Sequence, residues 1–159
     1  MSRAAFECNI EDTFNAFMDL TSSEMNKAVK RALRAGAKEL VKQTKAKATS
    51  SMITRNNTQW YDGKIVVFND KIEDAVMISK MDGDFENELS QKVHIMGTRK
   101  SGSGTYRLRF LEKGTKKGRG PKKAKWFFKD AQNQVFPNLP NIYAAEIQKT
   151  IDKLNTTNL

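Results

Sequence analysis

The chain carries one histidine, His94, and one cysteine, Cys8, among its 159 residues. These two residues limit the chemistry available. A two-histidine metal site has no second imidazole, and no CxxC pair replaces it. One cysteine makes no internal disulfide, which suits a reducing compartment. Cys8, close to Phe6, reads as a small buried side chain rather than a nucleophile. His94 has the proton affinity of a general base but no candidate nucleophile beside it. Asp82-Gly83-Asp84, with Glu86 and Glu88, makes a local acidic cluster without the alternating spacing of a calcium loop, and reads as a solvated hairpin tip. Gly114-Thr115-Lys116-Lys117-Gly118-Arg119-Gly120 has the glycines of a phosphate cradle. A P-loop places Gly-Lys-Ser/Thr after four spacer residues, and here Arg119 stands five positions after Gly114. The expectation is a protein that is not an enzyme and uses no metal or cofactor.

What remains is charge. Seven Lys/Arg lie between Lys113 and Lys125 without an acid: Lys113, Lys116, Lys117, Arg119, Lys122, Lys123 and Lys125. The formal net charge is +10, and the rest of the chain holds 21 bases against 18 acids. Most of the excess therefore sits in one short stretch. Clustered cations attract phosphates without regard to sequence. The stretch has three readings: a nucleic-acid contact, an arm that orders on a partner, or a solubilising tip. It contains no aromatic residue, so it lacks the stacking platform of single-strand binders. Duplex backbone or an acidic protein surface is the better target. Gly114, Gly118, Gly120 and Pro121 oppose a long helix, and the stretch is expected to stand out as a mobile basic loop over about 113–125.

The elements that carry this loop follow from hydropathy patterning. Ala4–Cys8 reads as a short strand. Asn9 caps a short helix with Ile10, Phe14, Phe17 and Met18 on one face. Thr21-Ser22-Ser23-Glu24 is a capping box in sequence form and starts the longest helix, running to about Ala48. Its apolar stripe is Met25, Ala28, Val29, Ala32, Leu33, Ala37, Leu40, Val41 and Thr44. The opposite face carries Lys27, Lys30, Arg31, Arg34, Lys38, Lys42 and Lys45. A solvated surface is the favoured reading of that face, with phosphate contact as the alternative. Residues 49–62 read as a loop whose end Trp60-Tyr61 pins to the core. Ile65–Phe68 is a short strand by its β-branched content. Lys71–Ser79 reads as a helical turn passing into a strand, and Met81–Asp84 as a turn. In Lys92–Met96 the alternation puts Val93 and Ile95 on the core face and His94 on the other. Ser101–Gly104 is a hairpin connection. Tyr106-Arg107-Leu108-Arg109-Phe110 then alternates like a strand with Tyr106, Leu108 and Phe110 inward. Trp126-Phe127-Phe128 is expected to be buried, with a helical turn over Lys129–Val135. Pro137 and Pro140 interrupt it, and Asn141 caps a last helix with Ile142, Ala145, Ile147, Ile151 and Leu154 as its apolar positions. Asn155–Leu159 frays.

The sum predicts one α+β domain over 1–159. A small antiparallel sheet of three to five strands packs against one long helix, with a C-terminal helix and the long basic loop. Modest apolar content predicts a thin core, of the kind that neighbours complete in an assembly. No apolar run reaches the length of a membrane span, and residues 1–6 lack the pattern of a secretory signal.

Leu111-Glu112-Lys113-Gly114-Thr115 resembles the E-(F/Y)-G-T signature of the neck and tail-completion proteins of tailed bacteriophages. Lys125-Trp126-Phe127-Phe128-Lys129-Asp130-Ala131 stands where that family has P-F-(L/F)-x-x-A at the start of its C-terminal helix. The order of elements is similar from about Phe6 to Leu154. Lys113 replaces the signature aromatic, Trp126 replaces the proline, and Phe136–Asn141 is additional. The resemblance marks Glu112, Gly114, Thr115, Trp126, Phe127, Phe128 and Ala131 as motif and turn residues. It implies a structural virion protein, made in the host cytoplasm and placed at the head–tail junction. Such a protein forms a ring with copies of itself, sixfold or alternatively twelvefold. The ring joins the portal-side or head-completion ring to the tail terminator or tail tube. Non-specific contact with duplex DNA by the 113–125 loop accompanies this reading, and a small basic nucleic-acid-binding protein is the alternative to it.

Overall fold

The computed structural model describes residues 10–51, 58–61, 64–67, 72–83, 88–96, 107–114 and 124–157. The strand expected at Ala4–Cys8, Cys8 itself, the Asn9 cap, the 101–104 connection and most of the basic loop lie outside them.

The fold is α+β and mostly helical. Helix α1 spans Ile10–Met18 and α2 spans Ser22–Ser51. Strands β1 (Thr58–Tyr61) and β2 (Lys64–Val67) pair antiparallel, as do β3 (Val76–Ile78) and β4 (Val93–Ile95). A short helix α3 (Arg107–Lys113) precedes α4 (Phe127–Val135) and the closing helix α5 (Leu139–Thr157). Among the described residues the strands form two separate two-stranded ladders, not one sheet of three to five.

The long helix starts where its capping box is written. The Thr21 backbone N–H donates to Glu24 Oε2 at 2.9 Å, and the Thr21 hydroxyl donates to the same oxygen at 2.7 Å. The Glu24 N–H returns a bond to Thr21 Oγ1 at 3.4 Å. These bonds hold the Glu24 carboxyl below the usual carboxylate range. One buried stripe of α2 (Ala28, Ala32, Ala37, Leu40, Thr44 and Ala48) then runs along the interior. Thr44 enters it at no cost in unpaired polarity, because its hydroxyl donates to the Leu40 carbonyl at 2.6 Å.

Two small cores flank that stripe. Ala48, Ala75, Val76, Leu108 and Phe127 form one, with Val93, Ile95, Leu111 and Phe128 packed on it. Leu40, Ala131 and Val135 form the other, under Phe128 and Leu139. Among the described residues seven of the 13 buried apolar side chains are alanines, so the helices approach closely and the core stays thin. One close approach is at Gly36. A Cβ there would lie 2.7 Å from Tyr143 Cε1 and 2.9 Å from Leu139 Cδ2. Gly36 is the notch in α2 that lets α5 lie down. Burial against this seam raises the Tyr143 phenol above its ordinary value.

Several expectations need correction. The alternating 106–110 segment is not a strand, since Arg107–Lys113 is helical. Leu108 and Glu112 are buried and Leu111 half-buried, at helical spacing, while Phe110 is 42% exposed. The period of two was carried by arginines that helix and strand expose equally well. The loop expected at 49–62 is shorter: α2 extends to Ser51, and Thr58–Tyr61 is a strand. On the apolar face of α1 Phe17 is half-buried, whereas Phe14 and Met18 are 60% and 57% exposed. Thr13 turns inward instead, donating to Gln148 Oε1 of α5 at 3.1 Å. Trp126 is also not buried, at 48% exposure, whereas Phe127 beside it is 1% exposed. Asn141 does not cap the last helix, which begins at Leu139 after a 3-10 turn at Phe136–Asn138. Pro140 sits in its first turn, where the missing N–H has no helical partner to lose.

Other readings agree with the structure. The 3-10 turn Ile72–Ala75 passes directly into β3, as expected for 71–79. In the β3–β4 register Val76 faces Ile95 and Ile78 faces Val93, with Met77 opposite His94 on the other face. Val93 and Ile95 pack on the core, as the alternation predicts.

Candidate functional site

The motif residues meet where α3 ends and α4 begins. Gly114 has φ 72°, the left-handed conformation that stops α3 after Lys113 without a Cβ penalty. At α4 the Trp126 residue is also left-handed, at φ 52° and ψ 26°, and its own side chain provides no cap. The first turn of α4 therefore needs an acceptor from elsewhere, and Glu112 supplies it. Glu112 Oε2 accepts from the Phe128 N–H at 2.9 Å, and Oε1 accepts from the Lys129 N–H at 3.2 Å. A buried carboxylate spanning two free helix N–H groups lies where the helix dipole favours negative charge. Two backbone bonds close the junction: Lys125 N–H to the Leu111 carbonyl at 2.9 Å, and Trp126 N–H to the Glu112 carbonyl at 3.3 Å.

Thus residues 14 positions apart in sequence, Glu112 and Trp126, form one structural unit. Phe127 drives into the core below it, Phe128 bridges both cores, and Ala131 is fully buried against the α2 side. Lys129 Nζ stands 5.6 Å from the centroid of the Trp126 ring, a cation–π distance. Sequence reasoning marked Glu112 as a motif residue without seeing that its role is to cap a helix beyond the loop.

Above the junction lies an open groove of about 690 Å³, between β4, the end of α3 and the start of α4. His94, Arg109, Phe110, Lys113, Trp126 and Phe128 line it. Exposed Phe110 and Trp126 give it an apolar floor, and exposed Met77 and Met96 flank the same ladder. His94 is half-buried in this wall. Among the described residues no three His, Cys, Asp or Glu side chains cluster as metal ligands. No helix among them is long and apolar enough to cross a membrane.

Of the basic stretch, Lys113 and Lys125 are described, and both are exposed at the two ends of the junction. Thr115, Lys116, Lys117, Arg119, Lys122 and Lys123 lie outside the described residues. The bonds at 111–112 and 125–126 bring the two described ends of that stretch together. No protein-family model, no curated protein and no solved structure matches this chain.

Proposed function

We propose that this chain is a structural component of the neck of a tailed bacteriophage, forming a ring that joins the DNA-filled head to the tail. The observation that carries the reading is the junction of Glu112, Gly114 and Trp126–Phe128. The two short motifs that resemble the family's are not scattered. They are held together by the Glu112 carboxylate, around one exposed apolar groove. A thin alanine-based core with Phe14, Met18, Phe110 and Trp126 left exposed supports a role in assembly, because neighbouring subunits would cover such side chains. The groove and the outer face of α1 are different surfaces. Pairing one with the other gives a heterologous contact, which closes into a ring when the rotation fits.

In this reading the chain catalyses nothing and binds no cofactor. Its partners are copies of itself in a sixfold or twelvefold ring, a portal-side or head-completion ring, and a tail terminator or tube. The basic 113–125 stretch, whose described ends Lys113 and Lys125 lie at the junction, serves in this reading as a contact to either a neighbouring ring or the DNA in the lumen. The place of action is the virion, after synthesis in the host cytoplasm.

The test is a phage lacking this gene. Electron microscopy of the lysate should show separate filled heads and free tails, and adding the purified protein should restore whole particles. Normal infectious particles without the gene would end the neck reading.

A further inference from the structure

The second surface of interest lies on the opposite, charged side of the α2–α5 seam. Arg31, Arg34, Lys38 and Lys42 of α2 face Lys149 and Lys153 of α5 across an open groove of about 540 Å³. All six are exposed. The two acids in the groove are already engaged: Glu39 pairs with Lys42 at 3.7 Å and Glu146 with Lys149 at 3.2 Å. Arg31, Arg34, Lys38 and Lys153 take part in none of the ion pairs among the described residues.

We infer that this groove is a binding site for the phosphate backbone of duplex DNA. Sequence periodicity showed one basic face on α2 and favoured plain solvation for it. The structure adds that α5 contributes cations to the same concavity, so that positive charge lines both walls. A groove lined by one sign of charge concentrates its field and attracts counter-charge more strongly than a convex helix face does. Along α2 the cations from Arg31 to Lys42 extend about 16 Å at the helical rise of 1.5 Å per residue. A DNA strand places a phosphate about every 3.4 Å along the duplex axis. The row therefore spans several phosphates of one strand. The walls carry no aromatic side chain on which bases could stack, which favours duplex over single strand. Arg and Lys without base-reading geometry give binding that does not depend on sequence. This inference does not rest on the neck reading, and it uses none of the 113–125 cations.

The experiment is fluorescence anisotropy of the full chain with a labelled 20-base-pair duplex over a salt series. The wild type should bind with a steep negative dependence of log affinity on log salt. Arg31→Gln, Arg34→Gln, Lys38→Gln and Lys153→Gln combined should weaken binding at least about tenfold at low salt. They should also flatten the slope by about 3 to 4, at roughly 0.9 per lost phosphate contact. A variant with Lys116→Gln, Lys117→Gln, Lys122→Gln and Lys123→Gln should keep a larger share of the affinity than the groove variant. Glu146→Gln removes an opposing charge and should tighten binding, a gain that misfolding does not produce. Unchanged affinity and slope in the groove variant would overturn the proposal. So would binding lost only in the 116–123 variant, or a single strand of equal length bound more tightly than the duplex.

Discussion

At the scale of single residues, the side chain with the most work to do is Glu112. Its carboxylate is buried and accepts two backbone N–H bonds from the first turn of α4. Hydrogen bonds to a charged acceptor contribute about 1.5–3 kcal/mol each when measured by removing one partner. The two share one carboxylate and one desolvation cost, so their sum is less than additive. Glu112→Ala should lower stability by about 2–3 kcal/mol, read as a reduced urea midpoint with an unchanged slope. Glu112→Gln keeps one carbonyl acceptor and should fall between the two. An alanine variant as stable as the wild type would mean that water replaces the carboxylate at this helix end. The sequence marked this residue only by a short motif. A carboxylate that caps a helix 16 positions further on has no local pattern to betray it. Thr21 and Glu24 are the contrast, since their bonds span three positions and the capping box is visible in the sequence.

At the scale of elements, legibility followed the range of the forces involved. The long helix and the turn-to-strand passage at 72–78 were readable because the propensity, cap and stripe that define them are local. Helix α3 was not. Its first four residues alternate basic and apolar side chains, and the packing of Leu108 and Glu112 against distant elements selects the helical period. Strand β1 was missed although Asp62-Gly63 is a two-residue hairpin dipeptide and β1 and β2 pair across it. Gly36 was likewise unremarked, because a glycine inside a helix signals close approach only once the neighbour is known. The seam it permits makes a prediction. Gly36→Leu must displace Tyr143 and Leu139 and should cost about 1–3 kcal/mol through overpacking. Gly36→Ala should cost less, since helix propensity returns up to about 1 kcal/mol against a smaller shift of two side-chain ends. Thermal unfolding of both variants checks the order. Equal midpoints for Leu and wild type would show that α5 does not need the notch.

For the whole molecule, the thin core has a corollary in the outer surface. Phe14 and Met18 on α1 are exposed, yet α1 is anchored to α5 through Thr13 and Gln148. The folded chain holds α1 in place while leaving Phe14 and Met18 uncovered. Phe14→Ser with Met18→Ser should therefore leave the thermal midpoint nearly unchanged while reducing self-association. Sedimentation at high protein concentration reads the difference, with multimers for the wild type and monomers for the variant. Equal sedimentation of the two proteins would remove α1 from the assembly contact. Charge divides the molecule in another way. The basic walls of the α2–α5 groove and the apolar groove over the α3–α4 junction are built from different residues and offer chemically different surfaces.

The α3–α4 junction also separates sequence length from architecture. Backbone bonds at 111–112 and 125–126 fasten residues 14 positions apart side by side, so the clasp sets the spacing of α3 and α4 by its own hydrogen bonds and not by the number of residues between them. Doubling the length of a closed segment adds only about 0.6 kcal/mol of closure entropy. The junction is thus a natural insertion port. Evolution, or an engineer adding an epitope or a fluorophore peptide, can change the number of residues between the two ends while the clasp keeps the same hydrogen bonds.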